Sequence, residues 1–270
     1  MRLFQTYIWL LMDKEKLKKI ANDPNDISGI YNYCDRWCER CSFTSRCANY
    51  ALGNSELEDN EILDVQNEKF WHKLGEIMQL TIEMVHEFAE EEGINLEAMD
   101  TELYREHEEQ LNRKVDQFEG TRKSKKYVEI ANIWLTDNSD LLDEKVDALQ
   151  ELQDIGIPES IDDLYDISDI LEVIQWYKPQ IQVKIMRAKR SKYDEFYDEE
   201  EDFLKDSDGS AKVALIGIDR SISAWGKMLE FFPQKEDELL EILVTLEQLR
   251  RQIEAEFPEA RSFVRPGFDE

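Results

Sequence analysis

Residues 168–192 read SDILEVIQWYKPQIQVKIMRAKRSK. Ser168 is a helix-capping residue type, and the stretch after it is apolar over much of the surface a helix would present. A helix of that kind belongs in the middle of a fold. Among Val173, Trp176, Tyr177, Ile181 and Val183 sit two charged residues, Glu172 and Lys184. A buried charge is costly unless paired, so both are buried polar candidates. One reading is an internal ion pair, with the Lys184 stem snorkelling outward. The other is an enzyme site in the helical bundle, with Glu172 as acid/base or ligand. Pro179 removes one backbone bond and crowds the turn before it, which predicts a kink.

Nearly every other segment also reads as helix. Ser210 is placed to cap a helix running to about Phe232, on which Ala214, Gly217, Ser221 and Ala224 form a stripe of small residues suited to close packing. Asp219 and Arg220 fall on its polar side. Pro233 separates this helix from a last one ending before Pro258. Thr136-Asp137-Asn138-Ser139 is a capping cluster for a helix ending at Gly156, and Pro158 starts a short helix. Further helices are expected at about 2–21, 61–92, 97–117 and 122–135. Gly93 stops the second of these, and Gly120 separates the last two. Gly53-Asn54-Ser55 ends the segment that precedes residue 61. Residues 194–209 form an acidic loop or frayed helix end, whose Asp206-Ser207-Asp208-Gly209 echoes part of a calcium loop without its later ligands. No strand alternation and no repeat is found. The expected fold is all-α, an irregular multi-helix bundle with an N-terminal cysteine-rich helical segment. It divides into an N-terminal helix and four-cysteine segment (1–56), a helical bundle (57–260) and an irregular tail (261–270), together one integrated domain.

Composition narrows the function classes. Charged residues make up 35% of the chain and the formal net charge is −28. That charge repels phosphate backbones and anionic lipid surfaces, so neither nucleic acid nor membrane is an expected partner. It suits solvated helix faces, or an acidic interaction protein that binds a basic partner. Leu3 to Met12 is an apolar run too short to span a bilayer, and it lacks the basic start and small-residue cleavage site of a signal peptide. It reads as an amphipathic helix docked on the core of a cytoplasmic protein, where thiols stay reduced.

All four cysteines fall within fourteen residues, Cys34, Cys38, Cys41 and Cys47, spaced C-x3-C-x2-C-x5-C. Thiolates are soft ligands, and four in one short segment can meet at a single metal centre. On a continuous helix Cys34, Cys38 and Cys41 would share one face. Iron–sulfur clusters are often wrapped by one compact run, whereas structural zinc more often joins two separated pairs; a cluster is therefore placed slightly ahead of zinc. Arg36, Arg40 and Arg46 would offset the charge of a thiolate-ligated centre. Tyr31, Tyr33, Trp37 and Phe43 could shield it from water. The first three cysteines match radical SAM spacing, but no β/α-barrel pattern accompanies them. The last three resemble WhiB-type iron–sulfur regulators, without their Gly-Trp turn or basic tail.

A second metal reading rests on Glu83-Met84-Val85-His86, the E-x-x-H of carboxylate-bridged di-iron bundles. His72, Glu76, Gln79, Glu83, His86 and Glu90 form one stripe at helical spacing. Against it, Phe70, Leu74, Ile77, Met84 and Phe88, with Trp71, Met78, Ile82, Val85 and Ala89, define the expected buried face, which turns the His/Glu stripe to solvent. No second E-x-x-H exists.

Three stretches carry a resemblance: YCDRWCERCSFTSRC at 33–47, SAKVALIGIDRSISAW at 210–225 and FPEARSFVRPGF at 257–268. Together they resemble a group of uncharacterised bacterial proteins. The resemblance implies a cytosolic bacterial protein and brings no activity. The leading expectation is a metal-binding helical protein with a redox, sensing or partner-binding role.

Overall fold

The computed structural model describes residues 19–20, 22–56, 68–96, 101–155, 159–194 and 201–269. The expected helix over 2–21 lies outside them apart from Lys19 and Ile20, as do Gly156, Pro158 and residues 195–200 of the acidic stretch. Among the described residues the chain is all-helical: α1 Ala48–Glu56, α2 Glu68–Glu91, α3 Thr101–Gln117, α4 Glu119–Asp137, α5 Ser139–Asp154, α6 Glu159–Tyr193, α7 Glu201–Phe231 and α8 Glu236–Glu256. No helix among them is long and apolar enough to cross a membrane. The chain divides into two units, one of residues 1–31 and 36–106, the other of 32–35 and 107–270.

In the first unit, α2 ends where its sequence says it should. Gly93 takes a left-handed φ of 70°. The Ile94 amide then reaches back to the Ala89 carbonyl at 2.7 Å and the Gly93 amide to Glu90 at 3.3 Å. These two bonds satisfy carbonyls that a helix end leaves open. The expected buried face of α2 is not found. Leu80 and Ala89 are buried and Met84 is half-buried, but Trp71, Met78, Ile82, Val85 and Phe88 are each more than half exposed. On the side opposite Leu80, Met78, Ile82 and Val85 are exposed while Ala89 is buried. The side chains of Phe70, Leu74 and Ile77 lie outside the described residues.

The second unit is built on α6 and α7. Ile167, Ile170, Ile174, Tyr177, Ile181, Ile185 and Ala188 recur every three or four residues along α6, and all are buried. That spacing puts them on one side of the helix. α6 pairs along its length with α7; α8 packs on α7 and α4, while α4 and α5 pack on α6. The break expected near Gly120 is found two residues earlier, at the extended Phe118 between α3 and α4. Two other expected boundaries fail for one reason. Ser168 and Ser210 lie inside helices, not at their ends. Burial along an apolar face outweighs the local preference of a capping or breaking residue. Gly53 likewise lies within α1. Glu172, expected to be buried, is exposed, because it points away from the α6 seam.

The small-residue stripe of α7 is a packing surface. A Cβ at Gly217 would stand 3.0 Å from Tyr177 Cδ1 and 3.1 Å from Ile181 Cγ1. Gly217→Val should therefore cost about 1–3 kcal/mol through forced repacking of α6 against α7. A urea melt checks this, and a change below about 0.5 kcal/mol would mean that the two helices yield freely. Around the stripe, Trp225 meets Trp134 edge to face at 5.3 Å between ring centres. Trp225 Nε1 donates to the buried Tyr127 hydroxyl at 3.2 Å.

Two lysines of this unit, Lys184 and Lys189, are buried. Lys189 is 3% exposed. Its ammonium meets Glu256 at 2.5 Å and lies over the rings of Phe118 and Tyr193, 4.5 and 4.2 Å from their centres. Lys192 reaches the same carboxylate at 2.9 Å. The C-terminal tail is irregular as expected, yet firmly held. Arg261 bridges Asp219 and Glu254 at 2.6 and 2.8 Å, and Lys212 pairs with Asp269 at 2.8 Å.

Candidate metal centre

Three short 3-10 turns replace the continuous helix on which Cys34, Cys38 and Cys41 would share a face: Ile30–Asn32, Cys38–Arg40 and Thr44–Arg46. The cause is visible in the backbone. Arg36 has φ 57°, a left-handed conformation that L side chains rarely take. Cys41 and Cys47 are extended. The chain therefore leaves helical geometry at Arg36, Cys41 and Cys47.

Within the first unit the cysteine turns hang from a closed base. The Ile27 amide donates to the Arg46 carbonyl at 3.0 Å, and Arg46 Nε donates to the Asn25 carbonyl at 3.1 Å. Asp23 accepts the Asn25 amide at 2.9 Å and so stiffens the entry. Inside the loop, the Cys41 amide returns to the Cys38 carbonyl at 3.1 Å. The Phe43 amide donates to Cys41 Sγ at 3.4 Å. Cys47 directly precedes α1, and its carbonyl accepts the Ala51 amide at 3.0 Å. A helix N-terminus carries partial positive charge, the sign that suits an anionic sulfur. Arg40 lies over the Trp37 ring at 4.0 Å. All four cysteines are half-buried.

Within the second unit, residues 32–35 are clamped to α6 and α7. The Asn32 carbonyl accepts Lys184 Nζ at 3.2 Å and Arg187 Nη1 at 3.4 Å. Arg187 is itself held by Asp206 at 2.6 Å, which gives that carboxylate a partner other than calcium. Tyr33 packs on Phe263 with ring centres 4.8 Å apart. Gly209 lets this happen, since a Cβ there would collide with the Tyr33 ring and with Phe263. The Asp35 carbonyl accepts Trp176 Nε1 at 2.9 Å. Its carboxylate accepts the Tyr177 hydroxyl and, at 3.0 Å, Arg220 Nη1. Arg220 also donates to the Tyr177 oxygen. Burial, then the bond to Asp35, raises the Tyr177 phenol well above its ordinary range, so it stays a donor. Cys34 lies in the middle of this clamp.

No match to this chain is found among protein-family models, curated proteins or solved structures. The site therefore rests on its own residues. Lys184, read from sequence as a buried polar candidate, is buried and belongs to the clamp. Tyr177 and Arg220 also belong to it, though one reads as an apolar core residue and the other as surface. Among the described residues, no three of His, Cys, Asp and Glu stand close enough together to hold an ion. On α2, His86 and Glu90 are exposed and Glu83 is half-buried. The side chains of His72 and Glu76 lie outside the described residues.

Proposed function

We propose that Cys34, Cys38, Cys41 and Cys47 bind one metal centre, an iron–sulfur cluster ahead of zinc, and that the protein acts as a redox, sensing or partner-binding module. The observation that carries this reading is the hydrogen bond that the Phe43 amide donates to Cys41 Sγ at 3.4 Å. Backbone amides donated to sulfur are the outer interactions that orient and stabilise a thiolate ligand. The donor set supports it too: four soft ligands on tight turns, with arginines nearby to offset charge. The sulfurs are not gathered beforehand, so binding and closing of the turns form one event, and binding free energy becomes folding free energy.

The test is metal content, acid-labile sulfide and a visible spectrum on full-length protein purified without oxygen, beside a variant with all four cysteines changed to serine. One centre per chain is expected in the parent and none in the variant. Iron with sulfide assigns a cluster, and one zinc in colourless protein assigns a structural staple. Metal-free parent protein with four titratable thiols would overturn the reading, and iron kept by the serine variant would move the site to the α2 His/Glu stripe.

A further inference from the structure

We infer that a cleft between α4 and α8 binds a small organic cation, a primary ammonium carried on an apolar body. The cleft lies within the second unit and does not depend on the metal reading. α4 and α8 pack on each other. Where α4 ends and α8 begins they leave a cavity of about 380 Å³. That is the size of a small-molecule site. Its apolar wall is made by Ile130, Ile133, Trp134 and Ile242. Trp134 and Ile242 are buried in the core, which fixes that side of the wall. Ile133 is 53% exposed and offers apolar surface that a ligand would cover.

The polar lining selects the sign of the charge. It holds three carboxylates, Asp137, Glu238 and Glu241, against one ammonium, Lys235. Lys235 is engaged by Glu238 at 3.2 Å, and Glu241 by Lys126 at 3.2 Å. Asp137 has no ion pair among the described residues. Asn138, next to it, adds a neutral acceptor. It is 4% exposed, and its Nδ2 donates to the Trp134 carbonyl at 2.8 Å. Among the described residues no donor reaches its Oδ1, which is left as an open acceptor in the cavity lining. An ammonium has three donors and no acceptor, so it matches a carboxylate and an amide oxygen on adjacent residues. An anion would meet charge of its own sign, and a neutral apolar molecule would leave Asn138 unmatched. The apolar wall asks for a body that buries against isoleucine and indole.

Tryptamine, titrated calorimetrically into the full chain, tests this. Salt at about 0.15 M screens the long-range pull of a −28 chain on any cation. One molecule should bind per chain. It should bind about tenfold or more tightly than tryptophol, which keeps the ring and loses the charge. Ethylamine, with the charge and no ring, should be weaker by a similar factor. Asp137→Asn should weaken tryptamine about tenfold and leave tryptophol unchanged. Ile133→Lys should abolish tryptamine binding with unchanged far-UV circular dichroism, since the side chain it alters is exposed. If Asp137→Asn disturbs the joint between α4 and α5, Ile133→Lys and the tryptophol comparison decide. Equal affinity for tryptophol would overturn the ammonium reading. Several weak sites per chain, binding that survives Ile133→Lys, or no binding at all would overturn the cleft.

Discussion

Glu256→Ala should lower stability by about 3–5 kcal/mol, because it leaves the Lys189 ammonium buried without its anion. Lys189 is 3% exposed, and Glu256 is its carboxylate partner at 2.5 Å. The flanking rings of Phe118 and Tyr193 attract a cation but cannot replace a carboxylate. Lys189→Met should cost far less, because an apolar side chain of similar length fits the same space. The comparison separates the worth of the pair from the penalty for breaking it. Acid provides a second check. Burial pushes the Glu256 carboxyl up, but bonds from Lys189 and Lys192 outweigh it and hold the group below its ordinary value of 4.5. A carboxyl depressed in the folded state contributes stability above its unfolded value and loses it as pH falls through the folded value. The gap between parent and Glu256→Ala should therefore narrow as pH falls below 4.5. Urea melts at several pH values measure this; a gap that does not change with pH would remove Glu256 from the acid response.

Asp35→Ala and Arg220→Ala should each weaken metal binding by about 10- to 100-fold, the usual effect of removing groups that orient a ligand. This expectation rests on the proposed cysteine centre. Asp35 adjoins Cys34 and is fixed by Tyr177, Arg220 and Trp176. Without its carboxylate the buried phenol loses its acceptor, and the segment bearing Cys34 loses a tether. Competition with a chromophoric chelator reads the affinity, and thermal melts of metal-free protein read stability separately. Tyr177→Phe removes one donor and leaves Arg220, so it should fall between parent and Asp35→Ala. Melts that shift while affinity holds would make the clamp a purely structural device.

The helices were legible because their cause is local. Along residues 168–192 apolar character recurs at helical spacing, and α6 occupies that whole stretch. What the sequence misjudged were places where two local signals compete. Ser168 and Ser210 are good caps, yet each lies within a longer helix whose apolar face continues on both sides. The expected buried face of α2 failed differently, since an apolar face announces a partner without saying which. At the candidate site, four cysteines in fourteen residues are plain to read. Asp35 is not, because its partners Tyr177 and Arg220 are 142 and 185 positions away. No periodicity connects residues that far apart.

The bond from Trp176 to the Asp35 carbonyl also gives the protein a built-in lamp. Trp176 is half-buried, while Trp134 and Trp225 are sealed in the core and Trp71 already stands in water. Anything that lifts residues 32–35 off α6 would wet the Trp176 indole and shift its emission to longer wavelength. The state of the cysteine segment should thus be readable as colour of fluorescence from the intact chain, with no dye attached.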